Sequence, residues 1–147
     1  MKRPETEPLD RFLEAQDAVF ADVCAELRSG RKQSHWIWFI FPQISGLGSS
    51  PLARHYAIAS LDEARAYLAH PVLSPRLTLV TELMIAHSGH SLTDILGTPD
   101  DMKFLSSMTL FDAASRPLRQ GNLFSRALQI FNAGRRDEKT LAIIGAH

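Results

Sequence analysis

A chain of 147 residues, 45% hydrophobic and 22% charged, is long enough to bury a sizeable core without disulfides or metals to hold it. Its 16 basic residues balance its 16 acidic ones, so no net charge draws it to nucleic acid. Cys24 is the single cysteine, which excludes an intrachain disulfide and argues against a cysteine-based zinc site; its expected place is a buried position on a helix.

The first ten residues, "MKRPETEPLD", carry acids and two prolines where a secretory signal needs an apolar run. No later stretch approaches the ~20 apolar residues of a membrane span. A cytoplasmic protein without membrane contact is therefore expected, with a flexible tail at residues 1–8 and one domain over residues 9–147.

In "LDRFLEAQDAVFADVCAELRSG", Phe12, Gln16, Val19, Phe20, Val23 and Leu27 recur at helical spacing and Gly30 follows, which predicts an amphipathic helix. The run "SHWIWFIF", residues 34–41, suits either a buried strand or a buried helical turn. With no partner strand in the sequence, the helical turn is expected. In "SLDEARAYLA", Ser60 and Glu63 have the spacing of a capping box, and Pro71 follows the end.

"SPRLTLVTELMIAH" places Ser74 as a cap and Pro75 at the first helical position, where a missing N–H costs nothing. In "TPDDMKFLSSMTLFDAAS", Thr98 and Pro99 play the same parts, and Asp100 and Asp101 face the positive end of the helix dipole. "NLFSRALQIFNAG" closes at Gly134, and "DEKTLAIIG" opens at Asp137 and closes at Gly145. These segments predict an all-α fold, a compact single-domain bundle of about six to seven helices with non-coiled-coil packing.

Charge is spread unevenly. From Ser34 to Leu61 the only charged side chain is Arg54, which predicts that this region is largely enclosed. It also holds His35, Trp36, Gln43, His55 and Tyr56, and buried polar groups of this kind need partners. Backbone can supply them, as can a ligand. Trp36 and Trp38 offer faces for a planar ring and Arg54 can hold a carboxylate or phosphate, although large aromatics commonly just fill cores.

On the later helix Phe104, Met108 and Phe111 form one stripe, while Lys103 lies beside Ser106 and Ser107 on a polar strip. A lysine flanked by hydroxyls can hold an anion; a lysine snorkelling from a half-buried helix is the plainer reading.

His87 and His90 in "HSGH" lack the further ligands that zinc requires, so no metal is expected. "GLGSS" lacks GxGxxG spacing, and neither GxxxxGK[ST] nor GxSxG occurs, so nothing points to a cofactor, a nucleotide cradle or a hydrolase elbow. The basic excess after residue 102 includes Arg116, Arg119, Arg126, Arg135 and Arg136. Such a face suits an acidic partner, but without interleaved aromatics or a recognition helix it does not suggest nucleic acid.

Three blocks, "RFLEAQDAVFADVCAELRSGRKQSHWIWFIFPQISGLG", "RHYAIASLDEARAYLAHPVL" and "GTPDDMKFLSSMTLF", resemble the bacterial family known as domain of unknown function 1810, some members of which are labelled calpastatin-like. The likeness runs from about Leu9 to Ile144. It implies a mainly helical single domain and no activity. The calpastatin label fits poorly, because that inhibitor is disordered and repetitive whereas this chain is apolar and non-repeating.

Two expectations follow. One is a domain that binds a small planar or anionic molecule between the 34–56 segment and the Lys103 helix, using His35, Trp36, Gln43, Arg54, Tyr56, Lys103 and Ser107, with or without enzymatic activity. The other is a non-enzymatic interaction module using the basic C-terminal third. Oligomeric state is left open by the sequence.

Overall fold

The computed structural model describes residues 7–116 and 122–145. Among them, after a 3-10 turn at Glu7–Leu9, are nine α-helices: α1 (Asp10–Arg28), α2 (Ile37–Ile40), α3 (Pro51–His55), α4 (Leu61–Ala69), α5 (Leu73–Ile85), α6 (Leu92–Leu96), α7 (Asp100–Ala114), α8 (Leu123–Asn132) and α9 (Glu138–Ile144). No strand occurs among the described residues; a single parallel bridge joins Ile44 to Ile58. Nor is any described helix long and apolar enough to cross a membrane. The expected tail falls almost wholly on residues 1–6, outside the described residues.

The six helices of seven residues or more are those the periodicity predicts. α1 buries Phe12, Gln16, Val23, Cys24 and Leu27, the apolar face and the cysteine read from the sequence. The turn expected in the aromatic run is α2, which buries Ile37 and Ile40. Two further short helices, α3 and α6, are capped by the Ser50 and Ser91 side chains.

Two helix starts, those of α5 and α7, differ from expectation because a neighbouring acceptor reaches the orphan amides first, and the cap of α4 forms by half. Ser60 caps α4 through the Glu63 amide at 3.1 Å, but the Glu63 carboxylate takes the Ala59 amide at 2.9 Å instead of closing the box on Ser60. α5 begins at Leu73, before Ser74 and Pro75, because His70 Nδ1 accepts from the Val72 and Leu73 amides at 3.1 and 3.2 Å. α7 begins at Asp100 rather than at Pro99, which here is the residue before the helix. The Thr98 hydroxyl donates to Asp101, whose Oδ1 takes the Met102 amide at 2.8 Å.

α7 is the centre of the molecule. It lies against α8, α4, α6, α9 and α2, and every residue from Ser106 to Ala114 is buried. Aromatic contacts fan out from it: Phe104 meets Phe41 edge-on at 4.9 Å, and Phe111 meets Tyr67 at 5.2 Å. Tyr67 in turn meets Phe12 edge-on at 5.3 Å, which joins α7 through α4 to α1. Burial pushes the Tyr67 phenol up, and its oxygen accepts from Gln16 Nε2 at 3.1 Å.

The segment from Ser34 to Leu61 is not enclosed as expected. His35, Ser45, Gly46, Ser49, Ser50, Arg54 and His55 are exposed, and its lack of charge reflects small turn residues more than burial. Two side chains of α1 serve its polar groups instead. The Glu26 carboxylate accepts from the Gln33 amide at 2.6 Å, the Ser34 amide at 2.9 Å, the Ser34 hydroxyl at 2.6 Å and the Trp36 indole at 3.0 Å. Arg11 donates to the carbonyls of His55 at 2.9 Å and Ala57 at 2.7 Å, and to Glu63 Oε1 at 3.1 Å.

Candidate functional site

The seven residues singled out by sequence do not share one environment. His35 and Arg54 are exposed. Trp36, expected as a site wall, is 1% exposed and belongs to the core, with its one polar atom committed to Glu26. Tyr56 is half-buried between Phe12, Phe39 and His55. Gln43 is half-buried, and its carbonyl accepts the Ile58 amide at 2.8 Å beside the bridge.

Lys103 and Ser107 stand apart from the other five. Lys103 projects from the first turn of α7 and places its ammonium 5.0 Å from the centre of the Trp38 ring on α2. That geometry is a cation–π contact, and it brings the charge read from one segment to the aromatic run of another. Asp100 Oδ1 is 4.0 Å from the same ammonium, but Oδ2 of that carboxylate is already bound to Lys32 at 2.8 Å. Asp100 therefore neutralises Lys103 only in part.

One helical turn on from Lys103, Ser107 is fully buried, and its hydroxyl has no hydrogen-bond partner among the described residues. The Trp38 indole N–H is buried and unpartnered in the same way. Nearly all buried polar groups in folded proteins are paired, so two such atoms on elements that touch each other stand out. Within the turn expected to be buried over residues 34–41, Trp38 and Phe39 are only half-buried, whereas Ile40 and Phe41 are core residues.

Two surface depressions lie elsewhere, and neither is lined by any of the seven residues. Both open around Asn132 and Arg136, one at the corner of α7, α8 and α9 and the other between α8 and α9. Of the C-terminal arginines, Arg116 and Arg136 are turned to the buried carboxylate of Asp112, at 3.5 and 2.6 Å, while Arg126 and Arg135 are exposed. Arg119 lies outside the described residues. No cluster of three or more metal-ligating side chains occurs among the described residues, and the rings of His87 and His90 are 6.0 Å apart.

Sequence reasoning missed Glu26, Arg11 and Asp112. For Asp112 a signal existed, a lone acid in the apolar run "MTLFDAA", which implies a buried and paired carboxylate. For Glu26 and Arg11 there was none, because their partners are loop backbone groups whose approach depends on the tertiary fold.

These features define an all-helical domain built around α7, with an aromatic segment tied down by side chains of α1. The chain belongs to the family described as "Protein of unknown function (DUF1810)", whose model matches residues 6–144. It is similar to a solved structure, the crystal structure of the conserved hypothetical protein Rv1873 from Mycobacterium tuberculosis. The two share 46% sequence identity and a TM-score of 0.91, over 99% of this chain and 100% of that one. No curated protein matches the chain.

Proposed function

We propose that the domain binds a small anionic molecule at the seam between α2 and α7. One observation carries this reading: a partly neutralised ammonium, that of Lys103, stands over Trp38, whose indole N–H is buried without a partner, as is the Ser107 hydroxyl. An oxyanion answers all three groups, because it accepts from N–H and O–H donors and offsets the ammonium charge. A planar body attached to it would lie along the indole. Trp38 and the Lys103 side chain are both partly exposed, so the seam meets solvent.

Relative to the site expected from sequence, this one is narrower. Lys103 and Ser107 remain, Trp38 replaces Trp36, and Gln43 and Tyr56 lie further along the same aromatic segment. A thermal-shift screen of small carboxylates and phosphates tests it. A ligand in hundredfold excess over its Kd stabilises the native state by about 2.7 kcal/mol. For at least one ligand of the panel that stabilisation should vanish in Lys103→Ala and fall in Ser107→Ala. A screen without hits, or one in which every hit persists unchanged in Lys103→Ala, would overturn the proposal.

A further inference from the structure

We infer a second, independent binding site at the corner of α7, α8 and α9, suited to a small organic anion: a carboxylate or phosphate carried on an apolar body. The inference starts from Arg136. Its Nε donates to Asp112 Oδ2 at 2.6 Å, and Asp112, with a side chain 4% exposed, is held from behind by Asn122 Nδ2 at 2.9 Å. A guanidinium gripped at Nε by a fixed carboxylate loses its freedom to swing. Its two terminal nitrogens have no partner among the described residues, and Arg136 lines both depressions.

Charge around Arg136 is sorted by direction. Asp137 lines one of the depressions, but its Oδ2 is engaged by the fold, accepting from the Ser106 hydroxyl and from the Thr140 amide and hydroxyl. Asp112 is buried. Glu138 is then the lining acid that no protein donor engages among the described residues, against Arg135, Arg136 and Lys139. An anion arriving at this corner meets cations at the surface, with two of the three acids already engaged by protein donors.

The opposite wall is apolar. Met102 is 66% exposed and stands with Leu105 on the α7 side of a depression of about 300 Å³. That volume is at the lower end for small-molecule sites, and it pairs apolar surface with a few placed polar groups in the usual way. A planar oxyanion matches the fork of a positioned arginine, and an apolar body attached to it would cover Met102.

Four probes followed by amide chemical-shift mapping test the inference: phenyl phosphate, benzoate, inorganic phosphate and phenol. At least one of the two amphiphilic anions should bind with shifts centred on Leu105, Asn132 and Lys139, at least tenfold more tightly than inorganic phosphate or phenol. Benzoate ahead of phenyl phosphate assigns a carboxylate, and the reverse order a phosphate ester. Arg136→Lys keeps the charge beside Asp112 but loses the fork, and should weaken binding about tenfold. Met102→Glu, at an exposed position that leaves the fold intact, should do the same, while Lys103→Ala should have no effect. No binding by either anion, phenol binding as tightly as they do, or full binding by Met102→Glu would overturn the inference.

Discussion

Glu26 Oε1 receives the indole N–H of Trp36 across 3.0 Å, and this bond fixes what Trp36 does. The ring is 1% exposed, its donor is spent, and Lys32 covers it at 5.0 Å while reaching Asp100 at 2.8 Å. Trp36 is thus an anchor for the chain between α1 and α2, and the neighbouring Trp38 is the tryptophan with a donor to offer.

Because the Glu26 carboxylate ends four hydrogen bonds from residues 33–36, its removal should cost more than a surface charge normally does. Bonds to a charged acceptor are worth roughly 1.5–3 kcal/mol where they are not matched by water. Glu26→Ala should lose about 2–3 kcal/mol in urea unfolding, whereas Glu14→Ala, exposed on the same helix, should lose under about 0.5 kcal/mol.

The same carboxylate confers a pH dependence. Partial burial works to raise its pKa, but the hydrogen bonds from Ser34, Gln33 and Trp36 outweigh it and bring it from an ordinary 4.5 down to about 2. A depressed carboxylate stabilises the fold fully above its unfolded pKa and loses that contribution as pH falls through the folded one. Wild-type stability should therefore decline between pH 4.5 and about 2 by roughly 2 kcal/mol more than that of Glu26→Gln, after allowance for solvent screening. Parallel pH profiles for the two proteins would contradict this.

At Asp112 the two arginines should not be equivalent. Arg136 lies 2.6 Å from the carboxylate with a side chain 33% exposed, and Arg116 lies at 3.5 Å with 48% exposed. Arg136→Met leaves a buried charge without its main partner and should destabilise by about 3 kcal/mol, while Arg116→Met should cost under about 1 kcal/mol. Equal losses in thermal unfolding would show that the carboxylate is held some other way.

His70 does the work that the sequence assigns to Ser74. Its Nδ1 accepts two amides at the start of α5, so His70→Ala should cost about 1 kcal/mol, the usual value of a lost N-cap, and Ser74→Ala should cost little. Urea midpoints of the two variants separate these roles.

The long helices were legible because each repeats an apolar face over several turns, as Phe12, Gln16, Val23 and Leu27 do on α1. Their exact starts were less so, because His70 and Asp101 compete for orphan amides with the residues that usually cap. α6 was missed since five residues, Leu92–Leu96, are too few to show a period. The site was legible only in part. Lys103 and Ser107 share a strip by local spacing, but the meeting of Lys103 with Trp38 is a tertiary event. Charge-poor composition around Arg54 was misleading, because Gly and Ser make turns at the surface as readily as neutral residues fill a core.

With two tryptophans in the chain, the indole N–H region of a ¹H–¹⁵N spectrum holds two side-chain signals, and they report on the central claim separately. Replacing Lys103 should cost under about 1 kcal/mol, since it gives up one cation–π contact and one long ion pair, so the Lys103→Ala protein remains folded for comparison. Titration with a panel of small carboxylates and phosphates should move the Trp38 signal, leave the Glu26-bound Trp36 signal in place, and move neither in Lys103→Ala. A Trp38 signal that stays still across the panel, or that moves equally without Lys103, would contradict a ligand site at the α2–α7 seam.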